Sequence, residues 1–281
     1  MAGGVDLHTH TTCSDGTLRP RELVAEAAKR GVRVLAVTDH DSTDGLAEAI
    51  EAARQHPPLT IVPGIEINCD VEGAEIHVLG YYMDYEAPWF QDFCRAQREE
   101  RRARVVRTAE RLAALGMPID VERVFALVQE GSAGRPHIAR VMLERGYVKT
   151  VREAFDRYLA AGKPAHVPRK RLTPEDAVRL LRRAGGVPVF AHPGLADRDA
   201  LIPSLVEAGL MGIECYYSEH SPAQRGAYVD LCRRYGLVAT GGSDFHGPSI
   251  RAGSLGTPTV AMAVWEALQA KAAEARASSP A

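Results

Sequence analysis

Seven short, β-branched apolar runs set the rhythm of this chain: Val5–Leu7, Val32–Val37, Thr60–Ile67, Ile76–Tyr82, Val187–Ala191, Gly212–Tyr216 and Leu237–Thr240. Most alternate with stretches of helical periodicity, and that alternation predicts βα units on a largely parallel sheet. Between Asp15 and Gly31, Pro20 falls in a first turn, Leu23, Val24, Ala27 and Ala28 share a face, and Gly31 stops the helix. Thr173-Pro174-Glu175-Asp176 reads as an N-cap, an N1 proline and an acidic first turn ahead of Val178, Leu180 and Leu181. No glycine-rich dinucleotide loop follows the first run. Seven units of this kind therefore point to a small α/β barrel rather than an open doubly wound sheet.

One block breaks the rhythm. From residue 92 to 171 the pattern is helical throughout, which predicts a helical insertion between barrel segments 1–91 and 172–281. Seven arginines lie between Arg95 and Arg111, mixed with Glu99, Glu100 and Glu110, and read as a solvated helix face. The Ala/Ser/Pro-rich tail after Lys271 is expected to fray.

The runs end in hydrophilic groups. His8 and His10 are two apart, so they share a strand face. Asp39-His40-Asp41 closes the second run, and Asp15 sits in a Ser-Asp-Gly loop that equally suits a helix cap. Glu66 and His77 interrupt otherwise apolar strands. An unpaired buried carboxylate costs several kcal/mol, so Glu66 requires a cation or a strong partner. His192 ends the fifth run, and Asp244 and His246 end the seventh. The C-terminal strand ends of a barrel converge on one face. His8, His10, Asp15, His40, Glu66, His77, His192, Asp244 and His246 would repel or go unsatisfied there without metal. Imidazoles mixed with carboxylates favour Mn²⁺, Zn²⁺ or Fe²⁺, with Mn²⁺ the expected ion. Asp6 and Asp39 are candidates to orient ligand imidazoles, and Cys13 reads as a bystander thiol.

Bulk properties remove several function classes. A net charge of −2 argues against general binding to duplex DNA. No apolar run reaches membrane-spanning length, the N-terminus lacks a secretory core, and five scattered cysteines suit a reducing cytoplasm.

The HTH, SDG, TDHD, GIE, EIH, AHPG and GSDFH elements resemble those of the PHP (polymerase and histidinol phosphatase) family, with all nine ligand positions filled. The resemblance implies a distorted (βα)7 barrel and a cluster of two or three divalent ions. It implies one ion on His8, His10, Glu66 and Asp244, a second shared through Glu66 with His77, and a third on Asp15, His40 and His192, with His246 completing the set. Closely spaced ions suit hydrolysis at phosphorus: they acidify a bridging water for attack and neutralise the nonbridging oxygens. Asp244, His192 and His246 are the expected catalytic side chains, with His192, His246 or a water as the leaving-group acid.

Within the insertion, Gly134-Arg135-Pro136-His137 and Gly162-Lys163-Pro164-Ala165 are similar to the cap of a PHP subgroup that includes nucleoside 3′,5′-bisphosphate phosphatases and a 5′-to-3′ exoribonuclease. That similarity implies a phosphate grip by Arg135 and Lys163, assisted by His137 and Arg169. The expected substrate is a small phosphorylated nucleotide or a short RNA 5′ end. Nucleoside 5′-monophosphates and cyclic sugar phosphates are alternatives, and a non-catalytic metal-stabilised module is the reading from another class. Tyr216, Tyr217 and His220 either line a nucleoside pocket or pack the rim.

Overall fold

A computed structural model describes residues 4–72, 74–128, 132–168, 172–248, 254–258 and 260–278. The chain runs β1 (Gly4–Asp6), α1 (Pro20–Lys29), β2 (Val32–Val37), α2 (Leu46–Ala53), β3 (Thr60–Val71) and β4 (Ala74–Tyr81). Helices α3 (Pro88–Ala114), α4 (Val121–Ala126), α5 (Arg135–Glu144) and α6 (Val151–Ala154) follow, the last continuing into a π-turn at Phe155–Leu159. Then come α7 (Pro174–Arg183), β5 (Val187–Phe190), α8 (Pro193–Ala196), α9 (Ile202–Glu207), β6 (Gly212–Tyr216), α10 (Pro222–Tyr235), β7 (Val238–Gly241) and α11 (Met262–Ala277).

The seven strands form one sheet in sequence order. Its two edges meet: Leu7 N donates to Gly241 O at 3.2 Å, Asp244 N to His8 O at 2.9 Å and His10 N to Phe245 O at 2.9 Å. The result is a distorted α/β barrel. Gly242 makes the closure possible, because a Cβ there would lie 2.4 Å from His8 N. The expectation of a largely parallel sheet needs correction at β4, which runs antiparallel to both β3 and β5. Val71 pairs with Ala74, leaving two residues between them, and a link that short joins only antiparallel neighbours.

Apolar side chains separate into three clusters. Val5, Leu7, Val34, Ala36, Val62, Val187 and Val189 fill the barrel, joined by Leu268, Ala272 and Ala275 of α11. This helix overturns the expectation of a frayed tail, because those buried residues hold it ordered to Ala277. A second cluster packs α1, α2, α7 and α10 on the outside of the sheet. The cap expectation of Thr173 holds, its side chain accepting from Asp176 N. The segment from α3 to the π-turn has its own core, including Val105, Leu112, Val124, Ile138, Met142 and Leu159. No described helix is long and apolar enough to cross a membrane.

Candidate metal centre

The strand ends deliver eight of the nine expected ligands to one place. His8 and His10 leave β1, His40 leaves β2, Glu66 and His77 face each other from β3 and β4, His192 follows β5, and Asp244 and His246 follow β7. Asp15 joins them from the loop before α1. Asp244 (φ 51°) and His192 (φ 27°) hold left-handed backbone conformations that non-glycine residues rarely adopt. Such strain persists where surrounding contacts fix it, and it concentrates at functional sites.

The ligand-type atoms form three overlapping sets: His8, His10, Glu66 and Asp244; His40, Glu66 and His77; and His10, Asp15, His40 and His246. Within each set the atoms lie within 4.8 Å of one another. Glu66 is the hinge of the first two, its Oε2 being 3.2 Å from His10 Nε2 and its Oε1 2.8 Å from His77 Nδ1. The third set differs from the implied assignment. His246 Nε2 lies 3.2 Å from Asp15, whereas His192 Nε2 sits 3.1 Å from Glu66 and 3.3 Å from His77 Nδ1. His192 thus lies against Glu66 and His77, although none of the three sets includes it.

These residues fit divalent ions on a direct physical test. His8 Nε2, His10 Nε2 and Glu66 Oε2 are buried, point toward one another and make no hydrogen bond among the described residues. Buried polar atoms without hydrogen bonds are costly, and a divalent cation would satisfy all three at once. The electrostatics agree. Burial, aided by neighbouring His246, drives His10 down to about 4, and burial drives His40 down to about 3. Burial also lowers His192. These imidazoles are therefore neutral, the form that ligates metal. Burial opposes ionisation of Glu66 and Asp15, yet the surrounding histidines outweigh it and hold both well below the usual carboxylate range. The described clusters can hold metal ions.

One carboxylate escaped sequence reasoning. Glu214 Oε1 lies 3.0 Å from His8 Nδ1, and its Oε2 accepts from His192 N at 2.9 Å. Burial would depress His8, but Glu214 and Glu66 prevail and raise it to about 10. The signal was a glutamate inside the apolar run Gly212–Tyr216, the same anomaly that exposed Glu66. Asp6 accepts from the Ser243 amide and hydroxyl and so braces a ligand-bearing loop rather than an imidazole ring. Asp39 accepts from Thr11 and from Ser14 Oγ, which lies 3.3 Å from His10 Nδ1, so it steadies that imidazole through Ser14. Tyr217 packs the rim, its hydroxyl donating to Asp244 at 3.0 Å. His220 likewise accepts from Gly194 N and sits 3.1 Å from Cys215 O. Replacing Glu214 by Gln is expected to weaken metal affinity ~10- to 100-fold, since a carboxylate behind a ligating imidazole fixes its tautomer and raises its basicity. A chelator-competition titration checks this, and unchanged affinity would contradict the role given to Glu214.

The expected substrate residues scatter more. Arg135 lines a cleft of about 310 Å³ with Arg104, His166, Gly162 and Glu75, and its guanidinium pairs with Glu75. Glu75 is two residues from His77 on β4, so the two share that strand face. Lys163 is exposed, His137 is wholly buried, and Arg169 lies outside the described residues. The arginine run is also misread in part. Arg101 and Arg104 are buried, Arg101 donating to Asp41 at 2.6 Å and Arg104 to Val167 O at 2.7 Å.

A family model described as PHP domain matches residues 6–158. The 5′-3′ exoribonuclease Rnm of Salmonella typhimurium is 38% identical over 249 residues, covering 86% of this chain and 85% of that protein. The phosphoribosyl 1,2-cyclic phosphate 1,2-diphosphodiesterase of Eggerthella lenta is 36% identical over 246 residues, covering 86% and 94%. The 3′,5′-nucleoside bisphosphate phosphatase of Chromobacterium violaceum is 33% identical over 277 residues, covering 95% and 97%. A solved Bifidobacterium adolescentis structure, provisionally described as a metal-dependent phosphoesterase, superposes with a TM-score of 0.88 at 31% identity, covering 96% and 97%. Matched by the family model over more than half its length and by these relatives over most of it, the chain belongs to the PHP domain family.

Proposed function

We propose that this chain is a metal-dependent phosphoric-ester hydrolase that removes the 3′-phosphate of nucleoside 3′,5′-bisphosphates, and trims short 5′-phosphorylated RNA with the same geometry. The observation that carries the reading is a set of convergent ligand atoms without hydrogen bonds on His8, His10 and Glu66, with a cleft presenting Arg135 linked to it along β4 through Glu75. The names of the Salmonella typhimurium and Chromobacterium violaceum relatives support this substrate class. Two or three ions, with Mn²⁺ the expected metal, occupy the three overlapping sets. When bound, they supply an acidified water and positive charge against the phosphoryl oxygens.

The chain's own residues arrange the rest. Glu214 fixes His8 through Nδ1, and Tyr217 fixes Asp244. His192 and His246, at the edge of the cluster, are the side chains able to return a proton to the leaving oxygen. Helices within residues 92–171 act as a cap that holds the uncleaved phosphate against Arg135 and Lys163, Arg135 exchanging Glu75 for phosphate. A second reading, hydrolysis of a cyclic sugar phosphate, is favoured by the Eggerthella lenta relative.

The deciding experiment is a phosphate-release screen of Mn²⁺-loaded protein against mono-, bis- and cyclic nucleotides. Turnover of the bisphosphate ahead of the others is expected; preference for a 5′-monophosphate or a cyclic ester replaces this reading. Arg135→Ala and Lys163→Ala are each expected to lower kcat/KM for adenosine 3′,5′-bisphosphate about 10- to 100-fold, the effect of losing one charge-assisted contact. Hydrolysis of 4-nitrophenyl phosphate, which has no second phosphate, should change little. Equal losses on both substrates would instead make the two cations general supports of the metal centre.

A further inference from the structure

The cap touches the barrel at the places where two metal ligands leave it. Helix α5 reaches the loop before α1. Arg140 Nη2 donates to Asp15 O at 3.1 Å, and Ser132 N, just before that helix, donates to Cys13 O at 3.0 Å. Arg140 is half-buried; burial pulls its guanidinium down from the ordinary value, and the Asp15 carboxylate counters that pull. Two cap donors on one short loop therefore fix where Asp15 sits.

Helix α3 reaches the end of β2. Arg101 Nε donates to Asp41 Oδ2 at 2.6 Å, and both side chains are buried. Asp41 follows the ligand His40 and holds a left-handed backbone (φ 51°), a conformation that persists where neighbours fix it. Those neighbours lie on β3: Asp41 N donates to Glu66 O at 2.9 Å, and Asp41 Oδ1 accepts from Asn68 N at 3.1 Å. Asp41 thus clips β3 on either side of Ile67, beside the bridge between His40 and Glu66. Removing one partner of a buried ion pair leaves the other charge uncompensated, so this clip depends on α3 being seated.

One ligand set gathers both points. His10, Asp15, His40 and His246 form the set that contains Asp15 and His40 together, whereas the set of His8, His10, Glu66 and Asp244 contains neither. The latter is held by the barrel itself, through Asp244 N to His8 O at 2.9 Å and His10 N to Phe245 O at 2.9 Å.

We propose that Arg140 and Arg101 are positioning residues for the metal site made by His10, Asp15, His40 and His246. The seated cap completes that site, while the barrel alone builds the one on His8, His10, Glu66 and Asp244. Displacing the cap then loosens one ion and spares another. The inference concerns the metal centre and holds whichever phosphoric ester is cleaved.

The test is a stepwise Mn²⁺ titration of the metal-stripped full chain against a competing chelator, in wild type, Arg140→Gln, Arg101→Gln and Asp15→Asn. Asp15→Asn removes a ligand of the proposed site and so marks the binding step that belongs to it. Both arginine variants are expected to weaken that same step ~10-fold or more, the usual cost of removing a group that orients a ligand, and to leave the remaining steps unchanged. Circular dichroism should match wild type. Equal weakening of every step makes the two arginines general supports of the fold and overturns the proposal, as does no change in the marked step. If Asp15→Asn alters no step, the set holds no ion and the proposal falls. Should Arg101→Gln fail to fold, Arg140→Gln decides alone. Substrate preference plays no part in these readouts, so failure of the bisphosphatase reading and failure of this proposal give different results.

Discussion

Glu66→Gln and Asp244→Asn are each expected to lower kcat by at least ~100-fold while the protein stays folded. Glu66 meets His8, His10 and His40 through Oε2, at 3.3, 3.2 and 3.0 Å, and His77 and His192 through Oε1. Glutamine has the same shape and keeps the packing, but it replaces one ligand oxygen by a donor that cannot bind metal. Asp244 presents Oδ1 to His8 and His10 at 3.4 and 3.2 Å, while Oδ2 is held by Tyr217. Asparagine there loses charge at the point shared with the histidine pair. Circular dichroism, metal per protein and kcat should be measured together. A folded variant that keeps its metals and full activity sinks the assignment of its residue.

Exhaustive chelation is expected to abolish turnover, and Mn²⁺ to restore it. A ligand that binds only the folded state stabilises it by about 2.7 kcal/mol at 100 times its Kd. For a chain of this size that corresponds to a fall in Tm of roughly 5 °C when the metal is stripped. Cys13→Ser serves as the control. Burial pushes the Cys13 thiol up to about 12, so it stays protonated and unreactive near neutrality. Its removal should leave activity, metal dependence and Tm nearly unchanged. Full activity after chelation, or loss of activity with the thiol, would contradict the metal mechanism.

Much of this architecture could be read from residues alone, for reasons that also explain the failures. Strands were legible because β-branched runs such as Val32–Val37 carry their own signal, and that strand has the expected bounds. The orientation of β4 was not read, because periodicity reports burial and not direction; only the two-residue gap after Val71 encodes the reversal. Glu66 stood out as a carboxylate in an apolar strand, and Glu214 carried the same mark between Ile213 and Cys215. The contacts of His192 with Glu66 and His77 were not legible, because sequence order says which strand a ligand leaves, not which neighbour its ring turns toward. Arg101 and Arg104 were hidden by composition: i,i+4 spacing cannot tell which face of a 27-residue helix meets the barrel.

Closure of the barrel by its first and last strands has a biosynthetic consequence. Asp6 braces Ser243 across a separation of 237 positions, and His8 meets Asp244 at the same seam. At ribosomal speeds of about 5–20 residues per second, roughly 10–50 s pass between synthesis of the two sides of that seam. During that interval His8 and His10 have Glu66 but lack Asp244, so the set of ligands they share is incomplete. The ligand sets that include Asp244 and His246 are therefore completed only after β7 has been made and closes on β1.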